Sequence, residues 1–176
     1  TDFRKKFNIY EKYVAIFAGV MGPSQYLELI LYIAEKMQDV SELLFLMVGD
    51  GSEKDKLEKL ARKKNLSNVR FEGFVSREDY PCLLEICSIG LVCLSPLNKT
   101  PVVPGKILGY MAAGLPIAAF LQSSSDGHSI IKEAKCGISS DSSDKDTCVD
   151  SMTKLLKKGD SLEKLGHDGK LFAEQN

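Results

Sequence analysis

The sequence predicts a three-layer α/β/α domain on a mostly parallel six-stranded sheet, and three observations carry that prediction. Short apolar or β-branched runs alternate with amphipathic stretches of helical length, the order that a parallel sheet covered by helices requires. Leu43 to Val48 is apolar at every position, as a strand buried on both faces must be. The length, 176 residues, suits a single core, because domains usually run to about 100–200 residues. Residues 13–176 are accordingly read as the domain, and residues 1–12 as a linker or interdomain segment.

Tyr13 to Ala18 is the first strand, and it ends in Gly19-Val20-Met21-Gly22-Pro23. A helix is expected from Ser24, whose hydroxyl can cap the first turn, with Leu27, Ile30, Leu31 and Ala34 as its buried stripe. Leu43 to Val48 is the second strand. Gly49-Asp50-Gly51-Ser52 turns the chain, Ser52 with Asp55 has the form of a capping box, and Leu57, Leu60 and Ala61 repeat at helical spacing. Val69 to Phe74 is the third strand, Ser76 opens a helix carrying Tyr80, Leu83, Leu84 and Cys87, and Ile89 to Leu94 is the fourth strand. Ser95 to Gly105 holds three prolines and little apolar pattern, so it is read as a loop.

A helix over Lys106 to Ala113 is closed by Gly114, and Pro116 to Phe120 is the fifth strand. The polar loop Ser123 to Gly127 leads to a short helix, Ser129 to Lys135, and an edge strand, Cys136 to Ile138. Ser139 to Asp146 reads as a polar turn region. Two helices, Thr147 to Lys158 and Leu162 to Glu174, close the sequence.

Composition narrows the function. The 23 Lys and Arg against 24 Asp and Glu leave a net charge of -1, without the cationic surplus a nucleic-acid binder uses to neutralise phosphates. No apolar run approaches the roughly 20 residues needed to cross a bilayer. Five cysteines without a Cys-x2-Cys pair read as reduced, buried thiols of a cytosolic protein, not as a disulfide framework or a zinc site. The start, Thr1-Asp2-Phe3-Arg4-Lys5-Lys6, has no initiating Met and no signal-peptide core, so the sequence is expected to be cut from something longer. His128 and His167 lack partners at triad or metal spacing, and Glu28, Glu53, Asp55 and Glu58 are expected on solvent faces of helices.

In an open parallel sheet the ligand lies beyond the carboxyl ends of the strands, where helix N-termini present free N–H groups and a partial positive charge. Gly19 with Gly22, Gly49 with Gly51, Gly73, and Gly105 all fall at such strand ends. Neither a Gly-x-Gly-x-x-Gly run nor a Gly-x4-Gly-Lys-Ser/Thr loop is present. Pro104-Gly105-Lys106 is the most informative piece: Pro fixes the start of a helix, Gly opens its first amides, and Lys adds a mobile cation. That is a competent diphosphate cradle. Asp50, between two glycines at a strand end, can accept bonds from a sugar or ribose hydroxyl, or make an Asx turn.

Four segments in this order resemble one family. They are Phe17-Ala18-Gly19 through Gln25, Leu46 through Glu53, Asn68 through Val75, and Pro104-Gly105-Lys106-Ile107-Leu108-Gly109-Tyr110-Met111-Ala112-Ala113-Gly114-Leu115-Pro116-Ile117. Together they resemble the C-terminal, nucleotide-sugar-binding domain of family 4 (group 1) glycosyltransferases, a Rossmann-like half of the two-domain GT-B fold. The resemblance runs from about Tyr13 to the end. It is nearest to bacterial and archaeal transferases of polysaccharide assembly, such as those that move N-acetylfucosamine or related sugars.

The resemblance implies a retaining transferase acting on a UDP-, GDP- or similar nucleotide sugar, moving a hexosyl or N-acetylhexosaminyl group without a bound metal or other cofactor. The backbone at Phe74 and Val75 would meet the nucleobase, and the amides of Gly105, Lys106 and Ile107 would hold the diphosphate. The Gly19 to Gln25 loop, with Gly22, would close over phosphates and sugar, with Asp50, Gly51 and Gly109 also beside the nucleotide sugar. The implied partners are the nucleotide sugar, an acceptor glycan or lipid-linked sugar, and the protein's own N-terminal domain, with no nucleic acid. The implied setting is the cytoplasm, including the inner face of the membrane, where the full-length protein would be peripheral.

The chain departs from the family pattern at three places. The Glu-x7-Glu motif would fall on Pro101 and Gly109, so the carboxylates that meet the transferred sugar and the ribose are absent. The first-loop Arg and Lys are replaced by Val20 and Gln25, leaving Lys106 as the evident cation. The acceptor domain is not in this sequence, so the isolated domain is expected not to turn over, and the last helices, which in the family cross back onto that domain, are expected to leave apolar surface uncovered. The missing carboxylates define a second reading: a catalytically inactive domain of the same fold serving as a nucleotide-binding or protein-interaction module. A phosphoacceptor receiver domain has a similar sheet but needs paired acids after the first strand, and Gly19-Val20-Met21-Gly22 supplies none.

Overall fold

The computed structural model describes residues 2–176, with side chains from Phe3 onward. Six strands, β1 (Tyr13–Ala18), β2 (Leu43–Val48), β3 (Val69–Glu72), β4 (Ile89–Cys93), β5 (Ile117–Leu121) and β6 (Gly137–Asp141), form one wholly parallel sheet in the order β3-β2-β1-β4-β5-β6. The chain starts in the middle, winds outward through β2 and β3, then returns to build the other half from β4. The order in which strands are added therefore reverses between β1 and β4, which makes that junction the topological switch point.

Alternate strand residues feed two cores. Ala15, Phe17, Phe45, Met47, Leu91 and Phe120 face a layer made by α2 (Glu28–Lys36), α3 (Lys54–Lys63) and α7 (Lys145–Leu156). Val14, Ile16, Leu46, Val92, Ile117 and Ala119 face α4 (Tyr80–Glu85), α5 (Gly105–Ala112) and α6 (Gly127–Ala134). Each fully buried Ile, Leu or Phe of these sets contributes about 1.5–3 kcal/mol by leaving water. This double burial is why the strands are uniformly apolar.

Local chemistry and tertiary contacts disagree at several helix starts and strand ends. Ser24 does not cap α2; residues Pro23–Gln25 form a 3₁₀ turn, Tyr26 takes a left-handed conformation at φ 50°, and the helix begins at Glu28. The Ser24 carbonyl is used instead by the chain after β4, accepting from the Ser95 N–H at 2.8 Å. The Ser52/Asp55 capping box is likewise not formed: the helix starts one residue later, with Glu53 at the N-cap position and its N–H donating to the Met21 carbonyl at 3.0 Å. β3 stops at Glu72, two residues earlier than expected, where the chain turns outward and leaves Phe74 exposed. Ser139 to Asp141, expected as a turn, belongs to β6 in register with Ala119 to Leu121. Serines are tolerated in this edge strand because its neighbours bond them, Ser139 Oγ to His128 Nδ1 at 2.8 Å and Ser140 Oγ to Ser151 Oγ at 2.5 Å.

The segment before β1 is tied to the domain. Residues Asp2–Lys6 form a short helix, α1, and Ile9 is buried. Arg4 donates to the carbonyls of Glu11 and Ile86 at 2.8 and 3.3 Å, and Arg70 of β3 donates to those of Phe7 and Asn8. Thr1 of the expected linker lies outside the described residues.

The last helix, α8 (Leu162–Gln175), leaves less apolar surface uncovered than expected. It lies on α5 and α6 so closely that a side chain on Gly166 would come within 2.0 Å of the Gly114 carbonyl oxygen, and one on Gly169 within 2.7 Å of Cys136. Its apolar face is thereby covered, and among its large apolar side chains only Leu171 stands exposed.

The cysteines are free thiols, Cys93, Cys136 and Cys148 buried and Cys82 and Cys87 half-buried. Burial pushes Cys136 up to about 11 and Cys87 and Cys148 up to about 12, so they stay protonated and unreactive. Among the described residues no helix is long and apolar enough to cross a membrane.

Candidate functional site

The crevice at the switch point is bounded on one side by two interlocked turns. Beyond the strands, Gly19 donates to the Val48 carbonyl at 2.9 Å, Met21 to the Asp50 carbonyl at 2.8 Å, and Gly49 to the Glu72 carbonyl at 3.0 Å. The layers touch because Gly49 has no side chain: at its φ of +134° a Cβ would lie 1.9 Å from the Gly19 carbonyl oxygen. The turns at 19–22 and 49–51 are thus one double layer.

That interlocking decides what several expected site residues can do. The Gly19 N–H is used by β2, the Gly22 N–H donates to Gln25 Oε1 at 3.1 Å, and the Gly51 N–H donates to Asp50 Oδ1 at 2.8 Å. Gly19, Gly22, Gln25, Asp50 and Gly51 are brought together on one wall, but these three amides are spent within it. Asp50 thus ties its own turn, leaving Oδ2 as the freer oxygen on an exposed residue.

The facing wall is the start of α5. Pro104 stands at its N-cap with an extended backbone and no side chain caps the helix. Gly105 and Lys106 precede any intrahelical acceptor, so their N–H groups are free for a ligand. Ile107 is different: its N–H already donates to the Pro104 carbonyl at 3.0 Å and its side chain is fully buried. The cradle expected from three amides is reduced to two.

The Lys106 side chain folds back across the crevice. Its Nζ stands 5.1 Å from the centre of the Phe17 ring, and a side chain on Gly19 would meet its Cε and Nζ at 2.7 Å. Among the described residues no carboxylate pairs with it, and burial lowers its pKa from the ordinary lysine range. A half-buried ammonium without a carboxylate partner, on the same helix turn as two free amides, is an arrangement that can receive an anion.

The pH dependence follows with a definite sign. A bound anion favours the ammonium, so pyrophosphate affinity is expected to be flat near neutrality and to fall as pH rises through the depressed pKa of the free amine. Calorimetric titration from pH 7 to 10 checks this, and Lys106→Arg is expected to remove the alkaline decline.

Phe74 (71% exposed) and Val75, with Ala18, Gly19, Val48 and Tyr80, line a cleft of about 180 Å³ next to the two-layer turn. Gly109 lies one turn along α5, exposed, with open space around the position of a Cβ.

Three contributors were not foreseen in the sequence. Lys54 in the first turn of α3 reaches back to the carbonyls of Gly49 and Glu72 at 3.0 and 3.4 Å, placing a second ammonium at the strand ends. Gln122 and Ser125 pin the 95–104 loop by donating to the Thr100 and Val102 carbonyls, each at 2.8 Å. Nothing in their sequence neighbourhood marks these roles. His128, by contrast, is held between Ser139 and the Gln122 carbonyl, a structural lock.

The mouth of the crevice is apolar. Among the described residues seven large apolar side chains are exposed, and five of them, Val20, Phe74, Leu97, Val102 and Leu108, belong to the strand-end turns or to α5. Such a concentration at one end marks a contact surface.

A family model described as "Glycosyl transferases group 1" matches residues 1–172. WcaI of Escherichia coli K12, named as a colanic acid biosynthesis glycosyl transferase, is 31% identical over 103 residues, 58% of this chain and 25% of WcaI. The UDP-glycosyltransferase TURAN of Arabidopsis thaliana is 32% identical over 107 residues, 60% of this chain and 22% of TURAN. The matched stretch is thus about a quarter of either relative's length. A crystal structure of HepE of Anabaena in complex with UDP superposes with a TM-score of 0.81 at 17% identity, over 99% of this chain and 47% of HepE.

Proposed function

The chain belongs to the group 1 glycosyl transferases, and from that membership we propose that it is the donor-binding half of a retaining transferase that moves a sugar from a nucleotide diphosphate to a glycan or lipid-linked acceptor in polysaccharide or glycoconjugate assembly. The observation that carries this reading is the unpaired Lys106 ammonium beside the free amides of Gly105 and Lys106 at the switch point. The exposed Phe74 and Val75 backbone would receive the nucleobase, and the diphosphate would rest on the first turn of α5. As the glycosidic bond breaks, negative charge grows on the leaving diphosphate, and the same ammonium and amides, fixed in place beforehand, stabilise it. In this proposal they carry the charge without a metal ion. UDP is the favoured nucleotide, since HepE was crystallised with it and TURAN is named for it.

The acceptor side would be supplied by a second domain seated on the apolar mouth formed by Val20, Phe74, Leu97, Val102 and Leu108. The transferred group would be a hexosyl or N-acetylhexosaminyl unit and the setting the cytoplasm, including the inner membrane face. On this reading the 176-residue chain alone binds donor without turnover.

Calorimetry with UDP, GDP and their sugars tests the proposal. Lys106→Ala is expected to weaken diphosphate binding roughly 10- to 150-fold, the usual worth of a charge-assisted contact. One feature favours the alternative of a non-catalytic module: Gly109 and Pro101 stand where carboxylates would handle ribose and sugar. Absence of heat with every nucleotide would overturn the donor reading and leave the protein-interaction form of that alternative.

A further inference from the structure

β1 and β4 stay in register only over Ala15↔Ile89 and Ile16↔Gly90, and then splay. The splay strands a donor. The Gly19 N–H points to β2, so the Ala18 N–H one residue earlier points to the β4 side, beyond the last paired residue. The Tyr110 hydroxyl accepts this N–H at 3.4 Å and donates to the Ile16 carbonyl at 3.2 Å. One hydroxyl thus accepts the amide that β4 leaves unpaired and adds a second donor to the carbonyl of the last paired residue.

The ring reaches this place through Gly90, where a side chain would lie 2.5 Å from the Tyr110 ring. Tyr110 is fully buried, and burial raises its pKa far above the ordinary phenol range, so the hydroxyl keeps its proton and remains a donor. It sits four residues after Lys106 on α5, on the same side of the helix. The helix carrying the ammonium is therefore fastened to β1 immediately before the Gly19 turn that the ammonium touches.

We propose that Tyr110 is a positioning residue: by bonding β1 at Ala18 and Ile16, where pairing with β4 ends, it holds the first turn of α5 at a fixed gap from the Gly19 turn, and that gap is the diphosphate cradle. The ligand half of this claim rests on the donor-binding reading above. A tyrosine that merely satisfied its own hydroxyl would affect stability but not the disposition of Lys106, and the two roles separate experimentally.

In Tyr110→Phe, UDP affinity measured by calorimetry is expected to fall about two- to twelvefold, the range for one neutral hydrogen bond. The Ala18 amide should exchange faster while the Phe45 amide in the same sheet is unchanged. The NMR shift that the Phe17 ring imposes on the Lys106 ε-protons should also move. If the wild-type chain binds UDP and Tyr110→Phe binds it equally well, the positioning role is overturned and the donor reading stands. If the wild-type chain binds no nucleotide, the donor reading fails, and the Lys106 shift decides alone: displaced in Tyr110→Phe it supports the strut, unmoved it overturns it. Should Tyr110→Phe not fold, the wild-type Ala18 amide decides, protection like that of Phe45 supporting the strut and rapid exchange overturning it.

Discussion

Gly49→Ala is expected to destabilise the fold by roughly 3–5 kcal/mol, among the largest effects available to a single methyl group. Two costs combine. The added carbon would lie 1.9 Å from the Gly19 carbonyl oxygen, and the backbone at φ +134° is one that alanine rarely adopts. Neither neighbour can yield cheaply, because Gly19 is fixed to Val48 and Gly49 to Glu72 by backbone hydrogen bonds. Thermal unfolding should fall by about 6–20 °C, given roughly 2–4 °C per kcal/mol for a domain of this size. Gly73→Ala is the control, since nothing lies within 4 Å of a side chain there and the expected change is within about 0.5 kcal/mol. Equal melting of the two variants would show that the interlocked turns are looser than the contact distances say.

Gly109→Glu is expected to act in the opposite direction, tightening UDP binding about tenfold or more. Its position is exposed on α5, one turn beyond the free amides, with open space at the Cβ. A carboxylate that accepts bonds from two ribose hydroxyls adds about 1.5–3 kcal/mol where both partners are otherwise met only by water. Glu also has better helix propensity than Gly by about 0.5–1 kcal/mol, so the substitution should raise stability. Titration of wild type and variant with UDP and with inorganic pyrophosphate separates the terms: a true ribose contact strengthens UDP and leaves pyrophosphate unchanged or weaker. Equal affinities for UDP would detach the nucleotide from this face of α5.

Strand positions were largely legible because each central strand is an apolar run covered on both faces, and Tyr13–Ala18 and Leu43–Val48 coincide with their expected limits. β6 was legible only at its start. Its serines look like turn residues until His128 and Ser151, distant in sequence, are seen to bond them. The caps misled for a related reason: Ser24 and Ser52 have the right chemistry for helix starts, but the chain there is engaged with other turns and the helices begin later, at Glu28 and Lys54. At the site, Pro104-Gly105-Lys106 declared itself because backbone restriction, open amides and charge are all local properties. Lys54, Gln122, Ser125 and Tyr110 did not, since each acts on a carbonyl or amide brought to it by the fold. The spent amides of Gly19, Gly22 and Gly51 belong to the same class: glycine spacing tells where backbones approach, not what they approach.

The glycine seam between α8 and α5 has a mechanical corollary. With Gly166 seated on the Gly114 backbone, the final helix has almost no clearance to slide over the helix that presents Lys106. Tension or torque applied at the tail, by a fused tag, a tethered partner or an adsorbing surface, would be shared between that helix and the Cys136 junction that Gly169 abuts, making the carboxyl end a remote handle on the element that presents Lys106.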